Sequence, residues 1–450
     1  MSISLHEQAQ ALQQGRTSSL ELTEAAIARA ADPSGEGARV YTRRYTERAL
    51  AAARASDLMR GAGLTRSVID GLPISIKDLF DVAGEATPAG SVALRDAAPA
   101  AAHSVVVQRL LAAGAVLTGR TNMTEFAYSG LGINPHYGTP LNPWDRATGR
   151  IPGGSSSGAA VSVADGMAIA AIGSDTGGSV RIPAALCGLT GFKPSAQRVP
   201  MDGVLPLSAQ LDSIGPLAPT VRCCAAVDAV LAGDVDPTLP EPAELHGLRI
   251  AVPTTLALDG MDEHVSKTFS ATLAKLSAAG AQVDDIEMPE FAQLAQINAK
   301  GGFTAAEAWA WHRELIGRAA DQYDPRVVSR IRRGQEITAA DWIELMAARR
   351  AWIASVQRRI AGYDALVLPT VPVVAPVVSE LVESDALYGS TNLLILRNPT
   401  LINFLDGCAL SVPCQEEGSA PVGLMIAGAN GADRRILSIG MAVEDLLATH

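Results

Sequence analysis

The stretch from residue 130 to residue 179 limits the fold more than any other part of the chain. Residues 130–158 are punctuated by Gly132, Asn134-Pro135, Gly138, Pro140, Asn142-Pro143, Gly149, Pro152, Gly153 and Gly154. That spacing breaks both helical and strand periodicity, and an irregular segment this long inside a compact domain tends to be functional. Apolar sequence follows: residues 159–164 read as a buried helix and 167–172 as a buried strand. A second glycine-rich turn, Asp175-Thr176-Gly177-Gly178-Ser179, comes directly after. A flexible Gly/Ser linker does not fit, because apolar structured sequence lies on both sides.

The rest of the chain supplies a core for these loops. Of 450 residues, 48% are apolar and 18% charged, which excludes whole-chain disorder. Aromatics are only 4%, so Ala, Val, Leu and Ile must fill the interior. Residues 19–31 have helical periodicity with Ser18 or Ser19 as N-cap, and 49–60 continue in helix. Gly71-Leu72 reads as a turn before a short strand ending at Lys77-Asp78. Residues 105–113 form an amphipathic helix and 115–118 a short strand. Further strands are expected at 249–252, 281–286, 364–368, 409–412 and 422–426, with a closing helix at 434–447. The alternation predicts one continuous α/β domain. Within it, 1–65 is expected to be an N-terminal helical segment packing on the core, 66–450 the main domain, and 241–363 a more helical covering subregion.

Charge and special residues exclude several classes. The balance of 36 basic and 47 acidic residues gives −11, which argues against a nucleic-acid partner. Cys187, Cys223, Cys224, Cys408 and Cys414 include no Cys-x-x-Cys pair and suit free thiols in a reducing cytoplasm. The seven His show no metal-binding spacing, so neither a metal nor a cofactor is expected. Residues 1–16 lack the apolar core of a secretory signal. Residues 158–173 are interrupted by Asp165-Gly166 and fall short of the ~20 residues a bilayer requires. A cytoplasmic protein without a membrane partner is the expectation.

Three segments carry chemistry. In the turn at 175–179, two glycines let the backbone bend, and successive N–H groups can point into one concavity that holds a developing negative charge. A serine beside such a site is what acyl transfer requires; an ordinary turn with a surface serine is the plain alternative. Gly154-Ser155-Ser156-Ser157-Gly158 formally matches Gly-x-Ser-x-Gly, which would make Ser156 a hydrolase nucleophile. The residues before it do not read as a strand, and the only His in the last hundred residues is His450. The third segment is Lys77, one of only five lysines. At the surface it would be unremarkable; buried, its charged form is disfavoured, and a base results that needs no His.

Together these segments resemble the amidase signature family of serine hydrolases. The resemblance is carried by Gly71-Leu72-Pro73-Ile74-Ser75-Ile76-Lys77-Asp78, Gly119-Arg120-Thr121-Asn122-Met123-Thr124-Glu125-Phe126, Asn142-Pro143-Trp144, Pro152 to Gly158 and Gly173 to Pro183. Gly188 to Pro194, Leu211-Asp212-Ser213-Ile214-Gly215-Pro216 and Pro421-Val422-Gly423-Leu424 extend it, in family order, to the C-terminal part. The resemblance implies a single large domain with a mixed central β-sheet covered by helices on both faces. It implies a catalytic triad of Lys77 as base, Ser155 as bridging serine and Ser179 as nucleophile, with a cis bond between Gly154 and Ser155. Ser155 lies 24 positions before Ser179, the spacing the family shows. Backbone N–H groups of Thr176, Gly177, Gly178 and Ser179 would form the oxyanion hole, and Asp175 and Arg181 would brace it. Read without the family, those two could equally form a surface ion pair. One departure is Ser157, where the family usually has Gly.

By the same resemblance, Ala127, Tyr128, Ser129 and Gly130 would line the substrate pocket, and residues 403–409 would pass near it. The implied reaction is hydrolysis of a small-molecule carboxylic amide to carboxylate plus ammonia or amine, by a monomer or homodimer. The nearest rival is a glutamine-hydrolysing component of a tRNA-dependent amidotransferase, its A subunit. Such proteins read the glutamine amino group with an acidic residue, where this chain has Leu396 beside Arg397. That favours a free-standing amidase and leaves an anionic substrate open through Arg397. A hydrolase of urea-like amides of the biuret or allophanate type is a further alternative.

Overall fold

The computed structural model describes residues 4–448; His450 lies outside them. Eleven strands form one sheet: β1 (Tyr41–Arg44), β2 (Pro73–Lys77), β3 (Val116–Thr121), β4 (Ala170–Asp175), β5 (Thr190–Lys193), β6 (Ser213–Ala218), β7 (Arg249–Pro253), β8 (Gln282–Ile286), β9 (Ala365–Pro369), β10 (Cys408–Pro413) and β11 (Gly423–Gly428). Their order is β1-β3-β2-β4-β6-β5-β10-β11-β9-β7-β8. The sheet is mixed: β2 pairs in parallel with β3 and β4, whereas β6 is antiparallel to β4. The central strands β2, β3 and β4 are buried along their whole length. Each begins apolar and ends in polar residues, so the polar ends are buried with the rest of the strand.

Residues before 66 do more than cap the core. Ser18 caps the Ser19–Ala31 helix by accepting from the Glu21 N–H, and Tyr41–Arg44 adds the edge strand β1 against β3. Residues 241–363 likewise contribute β7 and β8 to the far edge, with the Glu263–Ala278 helix packed against β8.

The strand expected at 167–172 is shifted to Ala170–Asp175. The N–H groups of Met167 and Ala168 bond back to the Ser162 carbonyl at 2.7 and 3.0 Å, so they close the preceding helix instead of joining the sheet. Gly173, Ser174 and Asp175 therefore lie in strand, and the glycine-rich turn starts only at Thr176.

Because β2 and β4 run parallel with Ile76 opposite Ile172, Lys77 and the end of β4 leave the sheet on the same edge. Antiparallel pairing of β6 with β4 places Ser213 opposite Asp175, so the start of β6 reaches that edge too. The irregular 130–158 segment runs over the same edge and ends in the buried Ser157–Ala164 helix.

Candidate active site

The edge so built brings the three chemistry-bearing segments together. Lys77 is fully buried, and its Nζ donates to Ser155 Oγ at 2.7 Å and to Ser174 Oγ at 2.9 Å. Burial brings its pKa down to about 7, against the opposing pull of Asp175 and Asp212. The bond between Gly154 and Ser155 is cis. The Ser155 carbonyl accepts from the Thr124 N–H at 3.1 Å, and the Gly154 N–H donates to the Gly130 carbonyl at 2.8 Å. Gly154 cannot be replaced by a larger residue without movement, since a Cβ there would lie 2.5 Å from the Gly132 nitrogen. Ser179 is buried beside this loop, and its carbonyl accepts from the Ser156 N–H at 3.3 Å.

Asp175 and Arg181 are not a surface pair. Both are fully buried, with Nε to Oδ2 at 3.0 Å and Nη2 to Oδ1 at 2.9 Å. Burial raises the Asp175 carboxyl, but the Arg181 charge and hydrogen bonds overcome it and hold the group well below the usual carboxylate range. The carboxylate accepts from the Gly178 N–H at 2.8 Å and the Val180 N–H at 3.1 Å. Asn403, near the end of the Asp385–Phe404 helix, donates to Asp175 and accepts from Arg181. The expected approach of residues 403–409 is thus made by Asn403, and it lies against Asp175 and Arg181.

This bracing corrects one donor of the expected oxyanion hole. The Gly178 N–H is engaged by Asp175. Among the described residues, no acceptor meets the N–H groups of Thr176, Gly177 or Ser179. Gly178 instead supplies the conformation: its φ is 121°, and a Cβ there would lie 2.5 Å from Pro399 Cβ.

Ser156 donates to the Ser174 carbonyl at 3.4 Å, and no strand leads into it. The strand-turn-helix setting of a Gly-x-Ser-x-Gly nucleophile is therefore missing. Ser157 is accommodated at the start of the Ser157–Ala164 helix, where its hydroxyl donates to the Asn122 carbonyl at 3.4 Å.

Ala127 to Gly130 lie beside the Gly154 loop. Ser129 Oγ and the Gly130 N–H both donate to Asn392 Oδ1, at 2.8 and 2.9 Å. Phe126 and Ala127 hold positive φ values of 50° and 60°. Leu396 bridges this segment and the turn: a Cβ on Gly130 would lie 3.1 Å from Leu396 Cδ2, and one on Gly177 3.6 Å. Arg397 does not face it. Its guanidinium donates to the Asp259 carbonyl at 2.7 Å and the Ala257 carbonyl at 3.1 Å, so the anion-binding role open to it in sequence fails. Arg330, which sequence reasoning missed, donates to the Tyr128 carbonyl at 2.8 Å, with its guanidinium 5.3 Å from the Tyr388 ring. Among the described residues no carboxylate pairs with it, whereas Arg326 one helical turn away pairs with Asp385. Ser174 was also missed, although it stands in the quoted motif.

Among the described residues no group of His, Cys, Asp and Glu could hold a metal ion, and no helix is long and apolar enough to cross a membrane.

The family model described as Amidase matches residues 21–437. The chain therefore belongs to the amidase family and is a hydrolase acting on carbon–nitrogen bonds. Its relatives include the 2-amino-5-chloromuconic acid deaminase of Comamonas testosteroni, 35% identical over 89% of this chain and 87% of that one. The A subunit of the glutamyl-tRNA(Gln) amidotransferase of Chloroflexus aggregans is also 35% identical, over 98% of this chain and 95% of its own. A crystal structure of an amidase superposes with a TM-score of 0.87 at 31% identity, covering 98% of this chain and 99% of that one.

Proposed function

We propose that the chain is a serine amidohydrolase that forms an acyl-enzyme on Ser179. The observation that carries this is the buried Lys77, with a pKa of about 7, 2.7 Å from Ser155. Once neutral, the amine takes a proton from Ser155 as Ser155 takes one from Ser179. Ser179 Oγ bonds to the amide carbon, and the carbonyl π pair moves onto oxygen. The N–H groups of Thr176, Gly177 and Ser179 hold that oxyanion; one such donor is worth ~2.7–4 kcal/mol. Collapse breaks the carbon–nitrogen bond as the relay returns the proton to the leaving nitrogen. Water, deprotonated by the same relay, then cleaves the ester.

The amide we assign carries a carboxylate. Beside Tyr128, Arg330 offers a guanidinium that no carboxylate neutralises among the described residues, and a planar fork of donors suits a carboxylate. The C. testosteroni relative is itself named for an acid. Leu396 gives the segment facing the turn an apolar surface, which does not suit the amino group of glutamine. This favours a free-standing amidase over a glutaminase component of a complex; the urea-like alternative has no supporting contact here.

The test is a panel of amides with and without a terminal carboxylate, supplied to the purified chain alone. Preference for the acidic members is expected. Arg330→Met should raise their KM about 10- to 100-fold, the effect of losing a charged hydrogen bond. Equal turnover of neutral amides, unaffected by Arg330→Met, would reject the carboxylate. Hydrolysis of glutamine only with partner proteins present would favour the rival.

A further inference from the structure

The proposed mechanism leaves one buried carboxylate at the site unused. Asp212 stands just before β6, which pairing with β4 brings to the catalytic edge. Its Oδ1 accepts from Thr176 Oγ1 at 2.5 Å, and its Oδ2 accepts from the Leu207 and Ser208 N–H groups at 2.9 and 3.0 Å. Ser208 Oγ in turn donates to Glu307 on the Gly302–Ala319 helix, and the Gln210 N–H meets the same carboxylate at 3.2 Å. Thr176 is thus tied through its side chain to a loop that is itself fixed to a covering helix. Its own N–H is one of three donors in the turn that no acceptor takes among the described residues.

Burial lowers the Lys77 pKa, and the negative charges of Asp175 and Asp212 oppose that fall. The two carboxylates are not equivalent. Asp175 is neutralised by Arg181 at 2.9 Å, whereas among the described residues no cation pairs with Asp212.

We propose that Asp212 is a positioning residue: through the Thr176 hydroxyl it aims the Thr176 N–H at the oxyanion. The inference rests on Ser179 and Lys77 being nucleophile and base. Burial raises the Asp212 carboxyl to about 6, with the hydrogen bonds from Thr176, Ser208 and Leu207 opposing and Glu307 adding to it.

The experiment compares kcat and KM for Thr176→Val, Thr176→Ser, Asp212→Asn and Ser179→Ala, on an amide that the wild type cleaves. Thr176→Val should lower kcat about 10- to 100-fold with KM little changed, because a donor is misaimed rather than removed. Thr176→Ser keeps the hydroxyl and should restore most of the rate. Asp212→Asn weakens the acceptor that holds the Thr176 hydroxyl, so it should lower kcat in the same direction as Thr176→Val. A wild-type kcat in Thr176→Val overturns the positioning effect. Should Asp212→Asn fail to fold, the Thr176→Val and Thr176→Ser pair still tests the positioning. Persistent turnover in Ser179→Ala would instead overturn the underlying triad, a result that separates the two failures.

Discussion

Lys77 shows how burial brings a common side chain to the proton affinity that its proposed role as base requires. A lysine in water is protonated at neutral pH. Here burial alone, with no cation beside it, brings the pKa to about 7. The sign of the pH dependence follows. Catalysis needs the neutral amine, so kcat/KM should fall as pH drops through about 7 and level off above it. A pH–rate profile measures this, and a rate that increases toward acid would contradict it. Lys77→Met should abolish turnover, by about a thousandfold or more, while the circular dichroism stays native. Loss of the fold would show that the lysine is structural. Lys193 is a useful contrast. It is equally buried and its pKa falls to about 8, but its Nζ is held by the Pro194 and Gly407 carbonyls at 2.7 and 2.6 Å. Burial lowers both lysines; only Lys77 has a serine hydroxyl to deprotonate.

At the scale of elements, the turn after β4 is held by groups distant in sequence. Asp175 and Arg181 flank it, Asn403 closes the pair from the Asp385–Phe404 helix, and Asp212 grips Thr176 from the start of β6. Breaking the buried pair should be expensive, because one charge would stay buried without its partner. Arg181→Met is expected to cost about 3–5 kcal/mol in urea unfolding. A loss under about 1 kcal/mol would mean that the pair does not hold the turn. Gly178 is the other sensitive point. Gly178→Ala combines a φ of 121° with a Cβ 2.5 Å from Pro399, so it should reduce both stability and rate.

Across the whole molecule, the parts legible in sequence are those where local pattern and tertiary role agree. β2 ends at Lys77 as its apolar run ends, and the glycine-rich turn is visible because glycine there is required. β5 and β6 are not legible. Gly191, Gly215 and Pro216 interrupt their patterns, and only the neighbouring strands justify them. The Asp385–Phe404 helix is hidden by the internal Pro399. The site followed the same division. Lys77, Ser155 and Ser179 sit in motifs and could be named in advance. Arg330 comes from a helix with no local signal, Asn403 could be placed near the site but not given its bracing contacts, and the Arg397 guanidinium lies on two carbonyls instead of facing an anion. The engagement of Gly178 by Asp175 depends on backbone direction, which no residue pattern encodes.

The proposed mechanism turns on Ser179 becoming covalently acylated, activated by Lys77 through Ser155. A fluorophosphonate, which phosphonylates activated serines, probes this without any knowledge of the natural amide. The protein is treated with the reagent and the adduct located by peptide mass spectrometry. One adduct is expected, on Ser179, absent in Ser179→Ala and strongly slowed in Lys77→Met. An adduct on Ser156, or labelling indifferent to Lys77, would contradict the mechanism.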